Sequence, residues 1–195
     1  MAKFNDEGFT KCNKLAKVGE DAYESILKKY LAEGKIYAYV DLRDSRIARL
    51  VDLDYAVFTK SGGYESPTVK DVEELILDYS KTSHTDFCRF IDVKTDKVIL
   101  KSGNIFFEMM MHGGPGCFAN TRADNWIYCA YDPENKKITN AWSVDIKKIR
   151  KKIAEGSLNP LEYHSSEKYV FSYNVMLSQL LEFGLAKEIN LHVSE

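Results

Sequence analysis

The chain has 195 residues, 45% of them apolar and 29% charged, with a formal charge of −2. That length suits one domain with a good core, and the near-neutral balance excludes a globally basic nucleic-acid binder. Any nucleic-acid contact must therefore rest on a local patch.

The N-terminus, MAKFNDEGFTKCNK, lacks an apolar signal core and no run approaches membrane-spanning length, so a cytoplasmic protein with no membrane partner is expected. Cys12, Cys88, Cys117 and Cys129 form no CxxC pair, which predicts reduced, partly buried thiols rather than a thiolate metal site.

In chain order, apolar residues at helical spacing (Leu15, Val18, Ala22, Ile26, Leu27, Tyr30, Leu31) predict a helix over 14–33, stopped by Gly34. A short strand follows at 36–42, then a polar turn at Arg43-Asp44-Ser45. LVDLDYAVF (50–58) alternates acids with apolar residues and reads as a strand. A turn at Ser61-Gly62-Gly63 leads to an amphipathic helix over 67–81, with Pro67 at its start. Strands are expected at 86–95 and 104–111, with the glycines of 112–116 forming a tight turn or a phosphate cradle. A strand at 123–132 turns at 132–135 and pairs with 136–142. Helices over 144–156 and 173–183 and a short terminal strand complete the pattern. The order predicts an α/β fold with a central mixed β-sheet flanked by helices.

Two strands carry the chemistry. Asp52 and Asp54 precede the buried run Tyr55-Ala56-Val57-Phe58, and Asp92, Lys94 and Asp96 share one face of the next strand. If those strands are neighbours, Asp54 meets Asp92, and two such carboxylates repel unless a cation lies between them. Mg²⁺ (or Mn²⁺) is the expected occupant, held by few protein oxygens with a substrate phosphate completing its shell. Asp54, Asp92 and the Val93 carbonyl would be the metal ligands. Lys94 would contact the scissile phosphate and orient or activate water, a set suited to metal-assisted phosphodiester hydrolysis. Asp96 reads as a turn residue, Glu108 as a cleft-edge or surface acid, and Met109-Met110-Met111 as core filling. His84, His112, His164 and His192 show no ligand spacing.

Asp54 in VDLDYAVF with Asp92-Val93-Lys94 in IDVKTD resembles the signature of the PD-(D/E)xK nuclease superfamily. DVKTDKVILKSGNIFFE followed by GCFANTRADNWIYCAYD looks like an uncharacterised phage and bacterial branch of it. The resemblance covers about 14–153 and implies a restriction-endonuclease-like core with 67–81 as an inserted helix. It leaves about 154–195 as an unassigned extension of a single domain spanning 1–195. It also implies that Glu20, in VGEDAYESIL, supports the metal as the helix glutamate; otherwise Glu20 and Glu24 read as a solvated i, i+4 pair. No proline precedes Asp54, as in many members.

The expectation is a Mg²⁺-dependent deoxyribonuclease in the cytoplasm of a bacterial cell or phage-infected host, with DNA as partner and a homodimer left open. Lys147, Lys148, Arg150 and Lys151 form the densest positive feature and would touch the phosphate backbone. The alternatives are a catalytically silent nuclease-fold protein that binds nucleic acid or a protein, and a phage assembly or inhibitory protein.

Overall fold

The computed structural model describes residues 6–78, 84, 86–111, 113–165 and 170–190, apart from the side chains of 6–13 and 165. The Cys12 thiol, the last residues of the expected 67–81 helix, His112 and His192 lie outside the described residues.

The first helix, α1 (Asp6–Ala32), begins earlier than the apolar spacing predicts. It stops where the Lys35 N–H returns to the Tyr30 carbonyl at 2.9 Å, a cap that needs the left-handed backbone of Gly34. Strands β1 (Ala38–Asp41), β2 (Tyr55–Phe58) and β3 (Cys88–Asp96) follow, with short helix α2 (Arg46–Arg49) and helix α3 (Val69–Leu77) between them. α3 opens with a capping box in which Thr68 and Asp71 satisfy each other's backbone N–H groups. The expected strand over 50–58 is therefore turn and irregular backbone as far as Asp54 and strand only from Tyr55. Ser45 caps α2, Asp52 takes a left-handed φ of 51°, and extended backbone pairing starts only at Tyr55.

After β3 come α4 (Ile99–Ser102), β4 (Asn104–Met111), β5 (Gly114–Pro115) and α5 (Cys117–Asn120). β6 (Asn125–Asp132), β7 (Lys137–Asp145) and α6 (Ile146–Ala154) follow, then β8 (Leu161–Ser165), β9 (Val170–Met176), α7 (Leu177–Glu182) and β10 (Ala186–Ile189). The main sheet is mixed, in the order β1-β2-β3-β6-β7-β10, with β3 and β6 parallel and the other neighbours antiparallel. The α/β character and mixed sheet match the sequence expectation. The second sheet, antiparallel in the order β5-β4-β9-β8, was not expected. The expected 173–183 helix is β9 as far as Met176 and helical only from Leu177. Residues after 153 supply β8 and β9 to the second sheet and β10 to the edge of the first.

The main sheet buries both faces. On one, Tyr23 and Leu27 of α1 pack on Tyr55, Val57, Ile91, Val93, Ile127 and Cys129. On the other, Val72, Leu75 and Ile76 of α3, Phe107 of β4, Phe118 of α5 and Ile146 and Ile149 of α6 join Phe58, Phe90 and Trp126. Two of the three consecutive methionines, Met110 and Met111, are exposed rather than core residues. No helix among the described residues is long and apolar enough to cross a membrane. Cys88, Cys117 and Cys129 are free thiols, the first and last buried.

Candidate active site

β2 pairs with β3 from Phe58↔Cys88 to Tyr55↔Ile91 and goes no further. Asp54, one residue before the strand, continues the contact by other means. Its N–H donates to the Ile91 carbonyl at 2.9 Å, and its Oδ2 accepts the Val93 N–H at 2.7 Å. The Asp52 turn steers the preceding chain away, so residues 92–96 of β3 keep β6 as their sheet neighbour while their other edge faces a cleft. The strands that the sequence makes neighbours are neighbours here.

Asp92 is 3% exposed, and it lines the same cleft as Asp54. The Lys94 ammonium is 2.8 Å from Asp92 Oδ2, an ionic contact, yet that buried oxygen receives no well-aligned hydrogen bond. Burial pushes the Asp92 carboxyl up to about 7; Lys94 opposes this, and Asp54 and Asp52 add to it. Asp54 is also raised by burial, against the pull of the Val93 N–H and Lys94. Burial alone would lower Lys94, but Asp92, Cys117 and Asp52 outweigh it and hold the ammonium charged. The Cys117 thiol is pushed up to about 12 by burial, so no thiolate nucleophile is on hand at neutral pH.

Asp54, Asp92, Lys94 and Glu20 line one cleft of ≈ 320 Å³ together with Asp52 and Val93. α1 reaches the cleft because Gly19 lies against β3. A β-carbon on Gly19 would fall 2.1 Å from Thr95 Oγ1, while Thr95 Oγ1 donates to the Ala16 carbonyl at 3.4 Å. Burial and the Asp54 charge raise the Glu20 carboxyl, with Arg43 opposing. Arg43 stands 3.7 Å from Glu20, 3.2 Å from Asp21 and 2.6 Å from Glu24, and it also grips Asp41. Glu20 and Glu24 are thus not simply solvated. In the sequence Arg43 reads as a turn residue, and Asp41, two positions before it, is the one local sign of its ionic role. The mid-helix glycine at 19 was a second overlooked signal, since such a residue marks close packing.

Asp52 lies in a turn rather than on a strand face, with its carboxylate 3.2 Å from Asn120 Nδ2. Asp96 acts as a turn residue, accepting the Val98 N–H at 2.6 Å and the Tyr128 hydroxyl at 2.8 Å. Glu108 accepts from Cys117 Sγ at 3.6 Å. Gly114 and Pro115 pair back onto β4 as β5.

The basic helix is partly committed to the fold. Arg150 turns inward, donating to the Phe118 carbonyl and to that of Thr121 at 3.0 Å, with its guanidinium 5.1 Å from the Phe118 ring centre. Lys147 is 2.5 Å from the buried carboxylate of Asp124. Lys148 and Lys151 project outward, each beside an acid, Asp145 at 3.1 Å and Glu155 at 3.7 Å.

Among the described residues no three His, Cys, Asp or Glu side chains form a metal-holding group. The donor set near Asp92 is two carboxylates with a backbone carbonyl. That fits Mg²⁺, which takes one or two protein carboxylates and keeps several waters, and does not fit a caged transition metal. No family model and no curated protein matches the chain.

Proposed function

We propose that the chain is a Mg²⁺- or Mn²⁺-dependent nuclease hydrolysing phosphodiester bonds in DNA, on a restriction-endonuclease-like core. One observation carries the reading: a buried carboxyl, Asp92, lines one cleft with Asp54 and stands 2.8 Å from Lys94 at the open edge of β3. Two acids drawn together at a partly desolvated cleft repel unless a proton or a cation lies between them. Asp54, Asp92 and the Val93 carbonyl would hold the metal, which supplies Lewis acidity and a bound water of lowered pKa. Lys94 keeps its proton and presents a positive charge to the scissile phosphate and the attacking water. Glu20, tethered by Arg43 at the cleft wall, supports the waters around the metal. DNA would run past Lys148 and Lys151, whose charges attract the phosphate backbone.

A second reading has one observation in its favour. Arg43 engages Glu20, the acid that would otherwise be free to support a metal beside Asp54 and Asp92. That arrangement suits a silent nuclease-fold protein that binds without cutting. Incubating purified protein with plasmid, linear duplex and single-stranded DNA, with Mg²⁺, Mn²⁺ or a chelator, separates the two. The nuclease reading expects metal-dependent cleavage abolished by chelation; retention of DNA without cleavage in any metal favours the second.

A further inference from the structure

Lys94 belongs to two cavities. Besides the acidic cleft, it lines a second cavity of ≈ 470 Å³ with Asp96, Phe106, Glu108, Trp126 and Tyr128. That volume and that mix of aromatic walls with a few polar groups are typical of sites for small organic molecules.

The cavity is furnished for a flat, polar-edged ring. Phe106 is 38% exposed and meets Tyr163 of β8 edge-on at 6.4 Å, so an aromatic surface stands open at the mouth. Trp126 forms the inner wall, backed by Phe107 at 5.5 Å and with the Lys94 ammonium 5.2 Å from its ring centre. The Trp126 indole N–H is buried without an acceptor, although buried Trp normally finds one. On β9, the residues opposite Phe106 and Glu108 are Asn174 and Ser172, and their side-chain oxygens are also buried without partners. Cross-strand neighbours share a sheet face. Of this strand pair, Phe106 and Glu108 line the cavity itself.

We infer that this cavity receives one unpaired nucleobase of the substrate, beside the phosphate that Lys94 contacts, so the nucleic acid is single-stranded or locally unpaired there. The inference rests on the nuclease reading for the role of Lys94. Phe106 offers the stacking surface, as aromatic side chains do for single strands. Glu108 accepts hydrogen bonds from amino groups on the base edge, as carboxylates do for cytosine N4. The sugar and phosphate then reach Lys94, whose side chain borders both cavities. A base within a duplex is stacked on both sides and cannot enter.

The test measures binding of full-length protein, without divalent metal, to three labelled ligands by fluorescence anisotropy. These are a short single strand, the same strand with its bases removed, and the blunt duplex. The parent is expected to bind the single strand at least about tenfold more tightly than the other two. Phe106→Ala should lose about tenfold of that affinity and Phe106→Trp should keep it, in line with base–aromatic stacking worth about 1–3 kcal/mol. Equal affinity for all three, no binding to any, or parent-like binding by Phe106→Ala overturns the inference. Metal-dependent cleavage, assayed in parallel, keeps the two readings apart. Base-dependent binding without cleavage leaves this site standing and removes the hydrolytic role; cleavage with base-independent binding does the reverse.

Discussion

The Val93 N–H donates to the carboxylate of Asp54 at 2.7 Å, one step beyond the last β2–β3 pair, Tyr55↔Ile91. A side chain thus completes a ladder that the backbone has left, and it holds that carboxylate in the cleft that Asp92 also lines. Structural and functional roles can be separated at this residue. Asp54→Asn keeps an oxygen for the Val93 N–H and should unfold within about 1 kcal/mol of the parent while losing metal affinity. Asp54→Ala strands the buried N–H and should cost about 1–3 kcal/mol more. Chemical denaturation read beside Mn²⁺ titration checks both.

The Asp92 carboxyl, raised to about 7, sets a pH dependence. A carboxyl whose folded-state pKa lies above its ordinary value contributes stability at low pH, and that contribution is lost as pH rises through the folded pKa. Metal-free protein should therefore lose this contribution between about pH 4 and pH 7. A divalent cation binds the ionised form, so the rise in Tm on adding Mn²⁺ should be larger at pH 8 than at pH 5.5. Thermal unfolding at the two pH values, with and without metal, measures it; equal rises would contradict the assignment.

Gly19 lets α1 approach β3 beside Glu20. A methyl group there would fall 2.1 Å from Thr95 Oγ1, so Gly19→Ala should cost about 1–3 kcal/mol by overpacking, despite its better helix propensity. Thr95→Ala removes the clashing oxygen, and the double variant should recover most of the loss. A double-mutant cycle by denaturation gives the coupling; additive effects would mean that the helix does not rest on Thr95.

The cations of α6 should divide by role. Arg150→Ala strands two carbonyls and the Phe118 contact, so it should lower stability by about 1–3 kcal/mol. Lys148→Glu with Lys151→Glu should leave the unfolding midpoint near the parent value but weaken DNA binding and flatten its salt dependence, because fewer counterions are released. An unchanged salt slope in the double variant would remove α6 from the DNA path.

The sequence carried the neighbouring acids because Tyr55–Phe58 and Cys88–Asp96 hold their apolar residues at strand spacing, and adjacent strands bring Asp54 to Asp92. It misread 50–54 because Val51, Leu53 and Tyr55 alternate with acids as a strand would. The Ser45 cap and the left-handed Asp52 break that pattern at points without periodicity. The second sheet was hidden for a similar reason. Val175 of β9 runs without a turn signal into Leu177 and Leu180 of α7, so one apolar series spans two elements. The tethering of Glu20 and Glu24 by Arg43 bridges residues 23 and 19 positions apart, beyond the reach of any local pattern. Arg150 looked like a surface cation because its carbonyl partners lie 29 and 32 residues away.

The measurement closest to the central claim is DNA cleavage in Mg²⁺ and Mn²⁺ by the parent, Asp92→Ala and Lys94→Ala, after thermal unfolding has shown all three to be folded. Asp92→Ala removes a charged ligand and should abolish both cleavage and metal binding. Lys94→Ala should reduce cleavage by at least about a hundredfold yet keep metal binding, since an ammonium repels the cation rather than recruiting it. Asp92→Ala cleaving as fast as the parent would contradict the account.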